Sequence, residues 1–180
     1  MILEIELPLL RGMDMAYTSK IKQLLLVIAE SAPFVPNISK LSERIGINRI
    51  TLLSYLSYLQ EAGIIRNMYK QAKGISRLQK PDKIFLENPN LAFTFNRETA
   101  NIGTVRETFF ANQLSRKHTL TYPETVDFLV DETWFCEIGG RGKSTSTEVP
   151  KSGKTVWFAL DGIEYGSANR IPLWMFGFLY

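Results

Sequence analysis

The side chains most able to do chemistry are few: the chain has one histidine, His118, and one cysteine, Cys136. A lone cysteine forms neither an internal disulfide nor a zinc cluster. His118 follows Arg116-Lys117 in a polar stretch with no nucleophile beside it, so no acyl-transfer triad can be built and it reads as a surface residue. Cys136, between Phe135 and Glu137, reads as a strand residue without chemistry of its own. The GGRGKST stretch at 139–145 lacks the spacing G-x-x-x-x-G-K-[ST], and no clear helix follows it, so nucleotide binding is not expected here. What remains is charge. Between Lys40 and Lys83 nine Lys or Arg face only Glu43, Glu61 and Asp82, whereas residues 84–180 carry nine basic and eleven acidic side chains. If the chain touches nucleic acid, the middle segment is expected to do it.

The elements that would position those cations are legible in the periodicity. Within Thr18 to Ser31, Ile21, Leu24, Leu25 and Ile28 form one apolar helical stripe. Pro33 and Pro36 forbid its continuation. Ser39 is expected to cap a second helix carrying Leu41 and Ile45 and closed by Gly46. Gly46-Ile47-Asn48 makes a tight turn, and Asn48 is expected to cap a third helix reaching about Ala62, with Leu52, Leu56 and Leu59 inward and Gly63 as its stop. Two helices joined in this way form a helix-turn-helix. IIRNMY then reads as a strand, KQAKGISRLQKPD as a basic loop and KIFLE as a returning strand, which together make a wing.

In a winged helix the third helix enters the major groove and wing cations meet phosphates. The candidate nucleic-acid contacts are Asn48, Arg49, Thr51, Ser54, Tyr58, Lys70, Lys73, Arg77 and Lys80. Protein docking is the alternative, because the third helix is expected to expose Ile50 and Leu53 and offers one cation, Arg49.

Asn88-Pro89-Asn90 punctuates the chain, and a new core begins after it. A short apolar helix at LAFTF is followed by a longer one from Gly103 to Arg116, with Val105, Phe109, Phe110 and Leu114 expected on its buried side. VDFLV, WFCEI and VWFAL read as strands, with turns at Asp131-Glu132 and Asp161-Gly162. Trp134, Phe135, Trp157 and Phe158 are expected to pack as core, with base-stacking as the alternative use. The tail IPLWMFGFLY is too short to span a bilayer and is expected to be a buried strand or an interface. No signal peptide is recognisable, and a reducing, cytoplasmic setting without a membrane is expected. The fold class is α+β, in two domains at 15–88 and 89–180.

The phrases GTVRETFFANQL, VDFLVDETWFCEIGGRGK and DGIEYGSANRIPLWMFGFLY, preceded by LQKPDKIFLENPNL, make the chain resemble a large prokaryotic family of AAA+-like ATPases. Members carry an N-terminal P-loop ATPase domain, a winged helix and a C-terminal domain of unknown function with a restriction-endonuclease-like α/β fold. The resemblance covers nearly the whole chain. It implies that LEIELPLLRGMD is a joining segment, that ATP and Mg²⁺ belong to the ATPase domain, and that this domain is one partner, with DNA or another protein as the other.

Nucleases of the fold that the resemblance implies hold a hard divalent ion with an Asp and a Glu on adjacent strands. A Lys two residues past the Glu, and often a helix Glu, assist them. The matching positions are Asp127, Glu137 and Glu107, with Asp127 and Glu137 the metal candidates. The lysine position falls on Gly139, and the replacements at hand, Arg141 and Lys143, lie in a loop expected to be flexible. Neither catalysis nor resident metal is therefore expected, and recognition is the favoured role. Docking and a Mg²⁺-dependent nuclease are the alternatives.

Overall fold

The computed structural model describes residues 2–12, 15–70, 79–95, 100–144 and 155–179. It is a mixed α+β chain with two sheets, and it divides into two compact units. The first comprises 1–67 and 73–98, the second 68–72 and 99–180.

In the first unit a π-helical turn at Ile2–Glu6 runs into α1 (Leu7–Arg11), followed by α2 (Met15–Ser31), α3 (Ile38–Ile45) and α4 (Arg49–Glu61). β1 (Ile65–Met68) and β2 (Lys83–Leu86) form a two-stranded sheet, and α5 (Pro89–Phe95) packs on α2 and β2. Phe34, between α2 and α3, bridges antiparallel to Ile84 of β2. Ile21, Leu24, Ile28, Ile45, Leu52, Leu56, Leu59, Ile65, Ile84 and Phe85 fill the core, as their spacing requires. The short α3 is capped by Asn37 rather than Ser39: the Asn37 side chain accepts from the Lys40 N–H at 3.0 Å. An amide on Asn37 reaches the third amide of the helix, whereas Ser39 already lies inside it. At the other end Gly46 turns left-handed at φ +70°, and the Lys20 ammonium donates to the Ile45 carbonyl at 2.7 Å. That cation offsets the negative end of the helix.

α4 is capped as expected, Asn48 accepting from the Thr51 N–H at 2.8 Å. Leu53, expected on its outer face, is only 5% exposed, while Ile50 is 66% exposed. The buried face of α4 spans Leu52, Leu53, Tyr55, Leu56 and Leu59, a wider arc than a single stripe, because neighbours pack on more than one side. Burial drives the Tyr55 hydroxyl pKa up to about 12.

In the second unit α6 (Ile102–Leu114) precedes a sheet ordered β3 (Leu120–Thr121), β4 (Phe128–Val130), β5 (Trp134–Gly140), β6 (Val156–Asp161), β7 (Arg170–Pro172). The first three strands are antiparallel and the last three parallel. The β4–β5 turn puts Asp131 and Glu132 at φ +50° and +55°, conformations that side chains other than glycine adopt reluctantly. α6 is capped by Asn101 and packs on β5 and on a 3-10 helix at Leu173–Phe178. Its buried residues are Thr108, Phe110, Ala111 and Leu114; Val105 and Phe109, expected inward, are only partly covered.

Of the two expectations for the tail, a buried strand or an interface, the buried strand holds only in part. Only Arg170–Pro172 pairs in the sheet, and Pro172, which lacks a ladder donor, begins the departure into the 3-10 turn. Leu173 is buried and Phe176 packs on Phe110 at 4.8 Å, while Trp174 and Phe178 stay 54% and 68% exposed. Trp134 likewise is not core: it is 50% exposed and meets Trp157 edge-on at 5.9 Å, whereas Phe158 is buried as expected. Among the described residues no helix is long and apolar enough to cross a membrane. Asn48→Ala removes the α4 cap and is expected to cost about 1 kcal/mol. The loss is measured as a lower urea midpoint with unchanged slope.

Candidate functional site

Strand alternation gives β5 two unlike faces. Trp134 and Cys136 line an apolar cavity of about 270 Å³ with Phe110, Trp157 and Phe176. Burial pushes the Cys136 thiol up to about 12, which suits the inert strand residue expected there. Phe135, Glu137 and Gly139 point the other way, and Phe135 packs against the cluster of Val126, Val156, Phe158 and Leu160. Phe128 pairs with Cys136, so the antiparallel register, carried one residue on, sets Asp127 opposite Glu137. The two carboxylates expected on adjacent strands are thus neighbours.

Lys143 meets both. Its Nζ lies 2.9 Å from Asp127 Oδ2 and 2.6 Å from Glu137 Oε2. Asp127 Oδ2 also accepts from the Ile138 N–H at 2.8 Å. The loop that carries Lys143, read from the sequence as flexible, turns back on β5, the Lys143 N–H donating to the Gly140 carbonyl at 2.9 Å. Gly139 is part of the reason. A Cβ at that position would fall 2.5 Å from Lys143 Cδ, 2.7 Å from its Cβ and 2.9 Å from its Cγ. The lysine stem fills the space that any residue with a side chain at 139 would need.

The charges follow from this geometry. Burial raises the Glu137 pKa, with the hydrogen bond from Lys143 acting against it. For Lys143 burial opposes the charged form, yet the hydrogen bonds to Glu137 and Asp127 outweigh it and the pKa rises. The three groups carry one net negative charge when all are ionised, in hydrogen-bonded contact and sheltered from water. Gly140, the next residue, has the Arg106 guanidinium over its other side, 3.2 Å from a notional Cβ. Arg106 in turn donates to Asp161 Oδ2 at 2.9 Å, so Asp161, expected in a turn, ends β6 as an ion-pair partner.

Arg141 is exposed at the loop, and Glu107 is partly covered on α6. His118 is less free than a plain surface residue, because its Nδ1 lies 2.6 Å from Asp131 Oδ2. That contact, together with the Thr119 N–H, holds the Asp131 carboxyl below its ordinary range. Arg106 and Arg170 were not singled out by sequence, since each stands alone in its segment and their roles depend on cross-strand neighbours.

A donor set of two carboxylates converging on one ammonium suits a hard cation such as Mg²⁺, which keeps several of its own waters. It does not suit an all-protein cage: among the described residues no group of three or more His, Cys, Asp or Glu is placed to hold a metal.

The nucleic-acid candidates on the first unit are less uniform. Asn48 uses its side-chain oxygen as the helix cap, and Ser54 donates to the Ile50 carbonyl at 3.1 Å. The Arg11 guanidinium lies 4.9 Å from the centre of the Tyr58 ring and pairs with Glu61, which covers the C-terminal end of α4. Lys70 belongs to the second unit and pairs with Glu124 at 2.7 Å. Lys73 and Arg77 lie outside the described residues. Thr51 is partly covered. Arg49 and Lys80 are exposed and line one cleft of about 410 Å³ with Val35, Pro36, Asn37 and Ser39 at the start of α3.

Lys143→Ala would leave Glu137 buried beside Asp127 without its cation. The Glu137 pKa, already raised, would rise further, so folding stability would weaken as pH climbs through that value and recover below the unfolded value of 4.5. With allowance for a side chain that is 31% exposed, the expected loss near neutrality is about 1–3 kcal/mol, shrinking at about pH 5. Urea unfolding of both proteins at the two pH values measures it.

Comparison of the chain with protein-family models, curated proteins and solved structures gives no match.

Proposed function

We propose that this chain is a DNA-recognition region that works alongside an ATPase domain, its first unit acting as a winged helix. The observation that carries the reading is the cleft shared by Arg49, at the first turn of α4, and Lys80, just before β2. Two exposed cations converge there beside the start of α3, whose backbone amides favour an anion. A phosphate group of a duplex matches that charge and shape. The capped N-terminal turn of α4 is then the part that approaches DNA, since Arg11 covers Tyr58 farther along the helix. The ATPase partner rests on the resemblance of the C-terminal phrases alone.

Fluorescence anisotropy with a mixed-sequence duplex tests the reading. Affinity is expected to fall steeply with salt, and Arg49→Ala or Lys80→Ala to lower the log–log salt slope by about one unit each. Absent or salt-insensitive binding would instead favour protein docking through Ile50 and the exposed tail aromatics.

A second reading is favoured by the meeting of Asp127, Glu137 and Lys143. In it the second unit, a nuclease-like domain, is a site for phosphodiester hydrolysis. Asp127 and Glu137 would hold a divalent cation, which when bound supplies Lewis-acid stabilisation of a phosphoryl oxygen. Lys143 would hold its proton at Nζ and donate to a phosphate oxygen, a role for which its raised pKa keeps it charged. Cleavage of supercoiled DNA with Mg²⁺ or Mn²⁺ is expected to be lost in Asp127→Ala and in Lys143→Ala. Activity that survives Asp127→Ala would belong to a contaminant and remove this reading.

A further inference from the structure

We infer that Arg170 is a positioning residue that holds Lys143 across Asp127 and Glu137; its consequence for chemistry rests on the phosphodiester reading above. The register sets up the arrangement. Glu137 pairs with Phe158, and Phe158 with Arg170, so the three form one row across β5, β6 and β7. Residues in one such row share a face of the sheet, and the two strand steps separate Glu137 from Arg170 by roughly 10 Å. The guanidinium spans part of that distance over the Phe158 ring, 5.8 Å from its centre.

Its Nη2 donates to the Arg141 carbonyl at 3.1 Å and to the Lys143 carbonyl at 3.3 Å. These two acceptors flank Gly142, the residue with the widest backbone freedom in the loop. A single donor atom therefore ties both sides of the segment that delivers Lys143. The third tie is the Lys143 N–H to the Gly140 carbonyl. Gly139 completes the device by leaving room for the lysine stem. A lysine carried on a loop is thereby fixed at its backbone, with its ammonium between two carboxylates.

Arginine suits this task because its planar fork keeps its charge at any ordinary pH and presents donors in fixed directions while its face lies on an aromatic ring. Arg170→Lys keeps the charge but loses the fork, and Arg170→Met keeps the apolar stem over Phe158 but loses every donor.

The test uses the whole chain and reads the lysine directly. Trace acetylation with acetic anhydride, mapped by mass spectrometry, compares Lys143 with exposed Lys40 in the same sample. In the native protein Lys143 is expected to react more slowly than Lys40, because its ammonium is paired and half-buried. Arg170→Met is expected to raise the Lys143 rate several-fold without moving Lys40, and Arg170→Lys to fall between. An unchanged Lys143 rate in Arg170→Met, with thermal melts by circular dichroism confirming a folded protein, overturns the inference. If Arg170→Met fails to fold, Arg170→Lys decides on the same readout.

Mn²⁺ binding, followed by electron paramagnetic resonance of the free ion, separates the two ideas. Native protein and Arg170→Met are expected to bind Mn²⁺, whereas Asp127→Asn is not, and Arg170→Met is expected to lose kcat with little change in KM. A native protein that ignores Mn²⁺ removes the phosphodiester reading, while the acetylation result still decides whether Arg170 positions Lys143.

Discussion

Glu137 is a carboxylate 7% exposed on a strand whose flanking residues Cys136 and Ile138 are also buried. Water cannot satisfy it there, and an unpaired charge in such surroundings costs far more than a surface ion pair returns. The second unit is arranged around that constraint. Lys143 must come back to β5 to supply a cation, Gly139 must lack a side chain to admit its stem, and the 141–143 loop must be anchored from β7. Asp127, immediately before β4, shares the same ammonium. One buried carboxylate thus links four separate parts of the chain, and the cluster either gives a reactive group its setting or serves as a polar lock within the sheet.

The first unit obeys a different logic. Its core is mainly apolar, although Thr18 and the Tyr55 hydroxyl are buried in it, and side-chain caps serve its helix ends: Asn37 and Asn48 at the starts of α3 and α4, Lys20 at the end of α3. These caps satisfy backbone groups that short helices leave open in large proportion. They also occupy side chains that a recognition surface would use. The outward face of α4 is narrowed further by Arg11 and Glu61, while among the described residues the exposed Arg49 and Lys80 share a cleft at its other end.

Much of this was legible in the residues. Helical periodicity located α2 and α4, Asn48 announced its cap, and the turns at Asp131-Glu132 and Asp161-Gly162 fell where expected, with Gly162 at φ +77°. Asp127 and Glu137 are singled out only by the resemblance to the nuclease fold; their closeness across β5 comes from a register that the residues alone do not state. What sequence could not show depended on tertiary neighbours. Leu53 is buried because α4 is covered on more than one side. Trp134 and Trp174 remain exposed because a two-faced sheet and a short 3-10 helix leave their outer sides uncovered. Gly139 read as a missing lysine, whereas its bare Cα is what admits Lys143, a relation visible only once both are placed. Arg170 gave no signal, since its partners are carbonyl oxygens 27 and 29 residues away.

The alternation along β5 also guards the folding of the sheet. A slip of one residue against β4 or β6 would turn Glu137 away from Lys143 toward the mainly apolar cavity beside Phe110 and Phe176, and would turn Cys136 and Ile138 toward Lys143. Apolar strands rich in Phe, Val and Leu pair almost as well out of step as in step, so hydrophobic burial alone discriminates weakly among alignments. A single carboxylate, tolerable at one alignment and costly at its neighbours, therefore singles out one register of the sheet.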